Sequence, residues 1–300
     1  MAYRIDFTHS LAHEVRRIAG RQLAAALDLL KRQPDGPHAA IHDARKRIKR
    51  TRALYRLIRP GAKGFADRQN QLLGEIAGQL SHLRDAAALV EASHYLGRHA
   101  DGAQESDAVA RIAIGLETER DRLAGETGPV YTTIAAAVGG LETATRAVSA
   151  FELVMDRVKA ATHLSKAWAK TDAKARQALA SCTTSQDDVP YHDLRKRSQD
   201  RWMQAGLLGN LWPSAMAAIR NQAKALTDLL GHEHDLAVLQ EKLASSVDDH
   251  TSDSDRQAAV RAISRQRRVL QEIARSAAGQ LFDKRADRDA AIVKHLIRNT

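Results

Sequence analysis

The chain of 300 residues contains one cysteine, six prolines and only 4% aromatic residues. A single cysteine, Cys182, excludes an internal disulfide and is typical of a reducing compartment. Because aromatic residues are so few, a core built from the 44% of hydrophobic positions must rely on alanine, leucine and isoleucine. Such side chains suit closely packed helices, and the scarcity of β-branched runs between turn residues argues against strands.

Long apolar runs are also missing. No segment approaches the 18 uninterrupted apolar residues needed to span a membrane, and the longest candidate, residues 133–140, is far too short. The N-terminal sequence MAYRIDFTHS has no apolar signal core, and no phosphate-cradling glycine loop is present. The sequence therefore predicts a soluble, cytoplasmic protein with no membrane partner.

Acidic residues are outnumbered by basic ones. The 46 Lys and Arg against 36 Asp and Glu give a formal net charge of +10. This excess predicts attraction to polyanions, whether nucleic acid, a phosphate polymer or an anionic membrane surface. The basic residues are concentrated in residues 45–52, where six of eight positions are Lys or Arg.

The sequence repeats at an offset of 150. HDARKR, residues 42–47, recurs as HDLRKR, residues 192–197, with five identities in six positions. At the same offset His82 matches His232 and Glu91 matches Glu241. Several matches at one unbroken offset predict two homologous halves, residues 1–150 and 151–300.

Apolar spacing of three to four residues, with proline and glycine breaks, predicts five helices in each half. The result is an all-α fold of two tandem helical bundles. The fifth helix either ends near residue 150 or continues into the second half. The predicted helices are about 8–32, 38–59, 66–96, 105–124 and 130–150, then 153–181, 188–211, 214–245, 254–280 and 286–298.

The second predicted helix separates its charged and apolar residues. At 100° per residue, one apolar arc contains Ile41, Ala44, Ile48, Tyr55 and Ile58. A basic stripe lies beside it in an arc about 120° wide, and from residue 45 to 56 it rises about 16 Å. Like charges at i,i+4 repel one another, so an anion lying along the stripe would stabilise the helix. The stripe consists of His42, Arg45, Lys46, Lys49, Arg52 and Arg56.

The corresponding helix of the second half carries a weaker stripe. His192, Arg195, Lys196 and Arg197 recur, but Gln199, Asp200 and Trp202 replace Lys49, Arg50 and Arg52. Asp85 and Asp235 are predicted to hold an arginine of the second helix in place. Other basic residues that can join the surface are Arg16, Arg17 and Arg21, Lys166 and Lys170, and Arg261, Arg265 and Arg268.

Two copies of a histidine followed by basic residues occur in the chain, and LSHLRD and LLGHEHD occur on later helices. In these motifs the chain resembles the CHAD family, the conserved histidine α-helical domain. The resemblance covers essentially the whole chain and implies one domain of two bundles, related by pseudo-twofold symmetry around a basic central groove. It also implies binding of inorganic polyphosphate and recruitment to polyphosphate granules. The implied phosphate contacts are His42, Arg45, Lys46, Lys49, Arg50, Arg52, His192, Arg195 and Lys196, to which the basic surface adds Arg56, Arg197, Arg17 and Arg21.

Three other functions remain open: a metal-dependent phosphohydrolase, a nucleic-acid-binding protein and a structural adaptor. His-Asp doublets at residues 42–43, 192–193 and 234–235 are typical of helical hydrolases, and His82 shares a helix face with Asp85. Two ligands fall short of a metal site, however, and Arg84 would repel a cation. We therefore expect no catalytic residue, metal or cofactor, and nucleic acid only as a competing polyanion. Replacing Arg45, Lys49 and Arg52 with Glu is expected to abolish polyphosphate binding and to leave the fold intact.

Overall fold

The computed structural model describes residues 3–82, 85–124, 127–184, 187–245, 252–282 and 286–300. These residues form eleven α-helices and no strand, so the predicted all-α class is confirmed. The helices are α1 (Leu11–Arg32), α2 (Pro37–Ile58), α3 (Lys63–His82), α4 (Asp85–Gly97), α5 (Ala103–Ala124), α6 (Thr127–Ser149), α7 (Arg157–Thr184), α8 (Val189–Leu207), α9 (Pro213–Ser245), α10 (Asp253–Leu281) and α11 (Ala286–Asn299).

Capping residues and prolines determine where several helices begin. The Ser10 Oγ accepts a hydrogen bond of 3.2 Å from the His13 backbone N–H and caps α1. A proline occupies one of the first two positions of α2 and of α8, where the missing N–H costs no helical hydrogen bond. The predicted third helix corresponds to α3 and α4, and residues 83–84 between them lie outside the described residues.

The first half does not continue as a helix into the second. Helix α6 ends at Ser149, and residues 151–156 are not helical, so of the two alternatives for the fifth helix an end near residue 150 is the one observed. Phe151 is buried, its ring centroid lies 4.3 Å from that of Phe65, and its carbonyl oxygen accepts a 2.6 Å hydrogen bond from Arg16 Nη1. These tertiary contacts hold the Phe151 side chain and carbonyl oxygen in directions that differ from those in a continuing helix.

Four helix pairs of the first half have counterparts that also pack together in the second half. In the first half α1 packs against α2 and α6, α2 against α3, and α4 against α5. In the second half α7 packs against α8 and α11, α8 against α9, and α9 against α10. Each half therefore places its HDxRKR helix between an N-terminal helix and the helix that follows.

The apolar cores cross the boundary between the halves. The largest cluster joins Val15, Leu54 and Leu141 of the first half to Leu164 and Leu207 of the second. A second cluster joins α4 and α5 to α9 and α10. The halves are thus fused along their length, which brings α2 and α8 into contact. No helix among the described residues combines the length and apolarity required to cross a membrane.

Candidate functional site

The apolar arc of α2 is buried as predicted. Ile41, Ala44, Ile48 and Tyr55 are fully buried, and Ile58 is 1% exposed. With this arc held in the core, the basic residues of the adjoining arc line surfaces shared with α3, α8 and their neighbours. The structure divides them between two concave surfaces along α2.

The larger concave surface, which we call the lysine groove, has a volume of about 610 Å³ and lies between α2, α3, α7 and α8. Eight of its side chains are cationic and two are aspartates, so the formal net charge of the groove is +6. The cations come from both halves of the chain. They are Arg52, Arg56, Arg59, Lys63, Lys166, Lys170, Lys174 and Arg197.

Arg52 and Arg56 form the α2 side of the lysine groove. Burial lowers the pKa of the Arg52 guanidinium, and the charge of Arg56 lowers it further. The Nε atoms of both arginines are buried without a hydrogen-bond partner among the described residues. A Cβ at Gly74 would lie 3.2 Å from Arg52 Nη2, so this glycine of α3 leaves space for the guanidinium. The α2 wall therefore holds donors that protein acceptors have not satisfied.

The two aspartates are paired with cations of the lysine groove. Asp200 of α8 lies 2.6 Å from Arg56 Nη2 and 3.2 Å from Arg197 Nη1. Asp67 accepts a 2.9 Å hydrogen bond from Arg59 Nη2 and lies 3.5 Å from Lys63 Nζ. Asp200 is buried, whereas the side chain of Asp67 is 40% exposed at the rim.

The α7 side of the lysine groove consists of three exposed lysines, Lys166, Lys170 and Lys174, at i,i+4 spacing. The charge of Arg197 and, after it, burial lower the pKa of Lys174. None of the three lysines forms an ion pair with another described residue. Lys166 and Lys170 were predicted from the sequence to join the basic surface, but Lys174 was not, although the regular i,i+4 spacing of the three lysines would have identified it.

The smaller concave surface, the histidine cavity, has a volume of about 350 Å³ and also joins the two halves. Arg195 and His234 of the second half face the N-terminal part of the α2 stripe there. Three carboxylates share the cavity, so its positive charge is largely balanced. The charged and histidine side chains lining it are His42, Arg45, Lys46, Lys49, Arg195 and His234, with Asp85, Glu91 and Asp235.

Several cations of the histidine cavity have partners within the protein. Arg45 Nη1 donates a hydrogen bond to the Ala77 carbonyl of α3, and Lys46 Nζ lies 3.0 Å from Asp43. Burial raises the pKa of Asp235, and the charge of Arg195 acts in the opposite direction. Asp235 therefore shares the cavity with Arg195 and interacts electrostatically with it, and its role in holding an arginine in place stays a prediction.

His192 does not line either the lysine groove or the histidine cavity. Its ring lies 4.9 Å from that of His234, in a shallow depression that also contains Glu233. Burial, with the charge of Lys196 next in importance, lowers the pKa of His192 to about 4, so the imidazole is neutral at pH 7. Lys196 is paired with Asp193 at 2.9 Å. Neither His192 nor Lys196 lines the lysine groove or the histidine cavity.

Three other predicted contacts are also placed elsewhere. Arg17 forms an ion pair with the buried Glu14 and donates a 2.7 Å hydrogen bond to the Arg4 carbonyl. Arg21 is exposed on α1 outside the two concave surfaces. Arg50 packs over the ring of Tyr3, because it lies 100° around α2 from Lys49 and 200° from Arg52.

The predicted His-Asp doublets do not assemble a metal site among the described residues, where no group of three or more His, Cys, Asp or Glu side chains is placed to hold an ion. Asp43 and Asp193 are instead paired with lysines of their own helices. The side chain of His82, and Arg84, lie outside the described residues. Burial raises the pKa of the Cys182 thiol to about 11, which keeps it protonated at neutral pH.

Two comparisons with known proteins bear on this chain. A search of curated proteins finds no match. The family model described as CHAD domain matches residues 17–244, which extend over both HDxRKR helices and more than half of the chain. The chain therefore belongs to the CHAD domain family.

Proposed function

We propose that the protein binds inorganic polyphosphate in the lysine groove, without chemical change to the polymer, and that the histidine cavity extends this surface along α2. The observation that carries the proposal is the concentration of eight cationic side chains from both halves against two aspartates. The same binding would bring the protein to polyphosphate granules. Membership of the CHAD domain family supports this function.

The chemistry of the lysine groove suits a chain of phosphoryl groups. Arginine supplies forked donors for phosphate oxygens, and lysine supplies a compact positive charge. Binding of single-stranded nucleic acid usually adds aromatic side chains on which bases stack. Among the described residues that line the groove, none is aromatic. The groove is thus equipped to bind phosphates and offers no platform for bases.

The formal charge of the lysine groove predicts a steep salt dependence. With a net charge of six, and by analogy with nucleic acids, the logarithm of the binding constant should fall with the logarithm of salt with a slope of roughly −4 to −5. Affinity should then fall roughly 300- to 1,000-fold between 50 and 200 mM salt. A pocket for a neutral ligand would show almost no such change.

The test is a calorimetric titration of the protein with long-chain polyphosphate across this salt range. We expect saturable binding with the steep slope, and displacement of bound duplex DNA or RNA by polyphosphate. The opposite order of competition would favour a nucleic-acid function. Release of phosphate from the polymer, together with protein-bound zinc detected by mass spectrometry, would favour a phosphohydrolase.

A further inference from the structure

We infer that Asp200 is a built-in counter-anion of the lysine groove, which competes with the bound polyanion for Arg56 and Arg197 and so limits affinity. The inference deepens the proposed function and rests on it. It identifies a single side chain that sets how tightly this member of the family holds its ligand.

The first support is the position of Asp200. Its side chain is 7% exposed, and its two oxygens are divided between arginines from opposite halves. One oxygen lies 2.6 Å from Arg56 Nη2 of α2, and the other lies 3.2 Å from Arg197 Nη1 of α8. A carboxylate that bridges two guanidinium groups occupies donors that a phosphate would use, because both anions accept the same N–H bonds.

The second support is the hydrogen-bonding capacity left to the two arginines. The side chain of Arg56 is 30% exposed and that of Arg197 is 23% exposed, and both line the lysine groove. Each guanidinium has five N–H donors, and the contacts to Asp200 use only part of them. The arginines can therefore offer the remaining donors to a ligand in the groove, and Asp200 competes for the others.

The third support is the electrostatic environment. Burial and neighbouring cations lower the pKa values of Arg52 and Lys174, and the negative charge of Asp200 opposes both shifts. In the free protein Asp200 thus offsets repulsion among cations gathered from α2, α7 and α8. A polyphosphate chain would supply the same compensation from outside and make the aspartate unnecessary.

The sequence offset shows that Asp200 is not simply a lost phosphate contact. Position 200 corresponds to Arg50 in the first half, but Arg50 packs over the Tyr3 ring, outside the lysine groove. Position 200 therefore places a carboxylate in the groove, whereas the residue at the matching position of the first half, Arg50, lies outside it. Asp67, the other acid, is at the rim, where exposed ion pairs have little influence.

Competition predicts a gain of affinity when the carboxylate is removed. For Asp200→Asn we expect polyphosphate to bind roughly three- to tenfold more tightly at low salt. The salt slope should become steeper by about one, since one more cation is available to phosphate. The free variant should melt at a lower temperature than the wild type, and sodium sulfate should stabilise it more than it stabilises the wild type.

The matched control is Asp193→Asn, which makes the same charge change on α8 at a residue that is paired with Lys196 outside both concave surfaces. It should leave polyphosphate affinity and the salt slope close to wild-type values. A second comparison pairs Arg197→Gln with the double variant Arg197→Gln/Asp200→Asn, which restores the formal charge of the lysine groove. The double variant should bind at least as tightly as the wild type, whereas Arg197→Gln alone should bind more weakly.

The outcomes separate this inference from the proposed function. If the wild type binds polyphosphate but Asp200→Asn binds equally or more weakly, Asp200 holds the arginines in place and the competition is refuted. Equal affinities for Arg197→Gln and the double variant would refute it as well. If the wild type does not bind polyphosphate, the proposed function fails, but the measurements with sodium sulfate still test Asp200. If sulfate stabilises Asp200→Asn no more than it stabilises the wild type, the role of Asp200 as a counter-anion is overturned.

Discussion

Replacing Lys170 and Lys174 together by glutamine should weaken polyphosphate binding and leave the fold at least as stable as before. Both side chains are exposed on α7 and line the lysine groove. Lys170 lies four residues from Lys166 and from Lys174, so α7 carries repulsive i,i+4 pairs. The charge of Arg197 adds to this repulsion, as the lowered pKa of Lys174 shows.

The size of each effect follows from the loss of two of the eight cations. The salt slope should become shallower by roughly 1.4 to 1.8, at about 0.7 to 0.9 per phosphate contact. Removing two like-charge pairs should raise the free energy of unfolding by roughly 0.4 to 1 kcal/mol. Affinity and stability therefore move in opposite directions, which a variant that is merely misfolded cannot reproduce.

The assays are a polyphosphate titration between 50 and 200 mM salt and urea unfolding of the free protein. The matched control is Lys159→Gln/Lys242→Gln, which removes two exposed lysines away from the lysine groove, one of them on the same helix α7. The control should retain the slope of the wild type to within a few tenths. If both double variants lower the slope equally, binding depends on net charge alone and the assignment of the groove is refuted.

Two further predictions concern stability. Asp172→Ala should lower the free energy of unfolding in urea by about 3–5 kcal/mol, because the buried Arg201, which packs against Asp172 and the ring of Trp168, loses its counter-charge. The double variant Asp172→Leu/Arg201→Met should lose much less stability, and an equal loss would contradict the reasoning. His192 should contribute stability above pH 6.5 that is lost as pH falls toward 4, since burial keeps its pKa at about 4 while the unfolded imidazole takes up a proton near 6.5. After allowance for partial exposure, the stability lost between pH 6.5 and 4 amounts to about 1–2 kcal/mol. His192→Asn should make the free energy of unfolding depend less on pH across this range. An unchanged pH profile would exclude His192 as the source.

The structure also changes the expected result of replacing Arg45, Lys49 and Arg52 with Glu. The sequence predicts an intact fold, because the three residues form a stripe on one side of a helix. In the structure Arg45 donates to the Ala77 carbonyl of α3, and the guanidinium of Arg52 is partly buried beside Gly74. Glutamate at these positions would partly bury a negative charge and remove the side-chain hydrogen bond to the Ala77 carbonyl, so this triple change tests packing as well as binding.

Helical periodicity was sufficient to predict how α2 lies in the protein. Ile41, Ile48 and Ile58 are buried where the spacing placed them, and the basic residues occupy the adjoining face. This part of the prediction needs only neighbouring residues on one helix, because a helix fixes their directions at 100° per residue. The duplication rests on matches at one offset and stays a prediction from the sequence.

The amino-acid sequence was enough to establish an all-α chain with a basic helix between apolar ones, since composition, helix breaks and apolar spacing are local properties. It could not establish which cations share a cleft. Lys174 joins the lysine groove, and Asp67 and Asp200 enter it, because α3, α7 and α8 pack around α2 at positions far apart in sequence. His192 is excluded from it for the same reason: the direction of a side chain relative to another helix depends on how the helices pack, and that arrangement exists only in the folded chain.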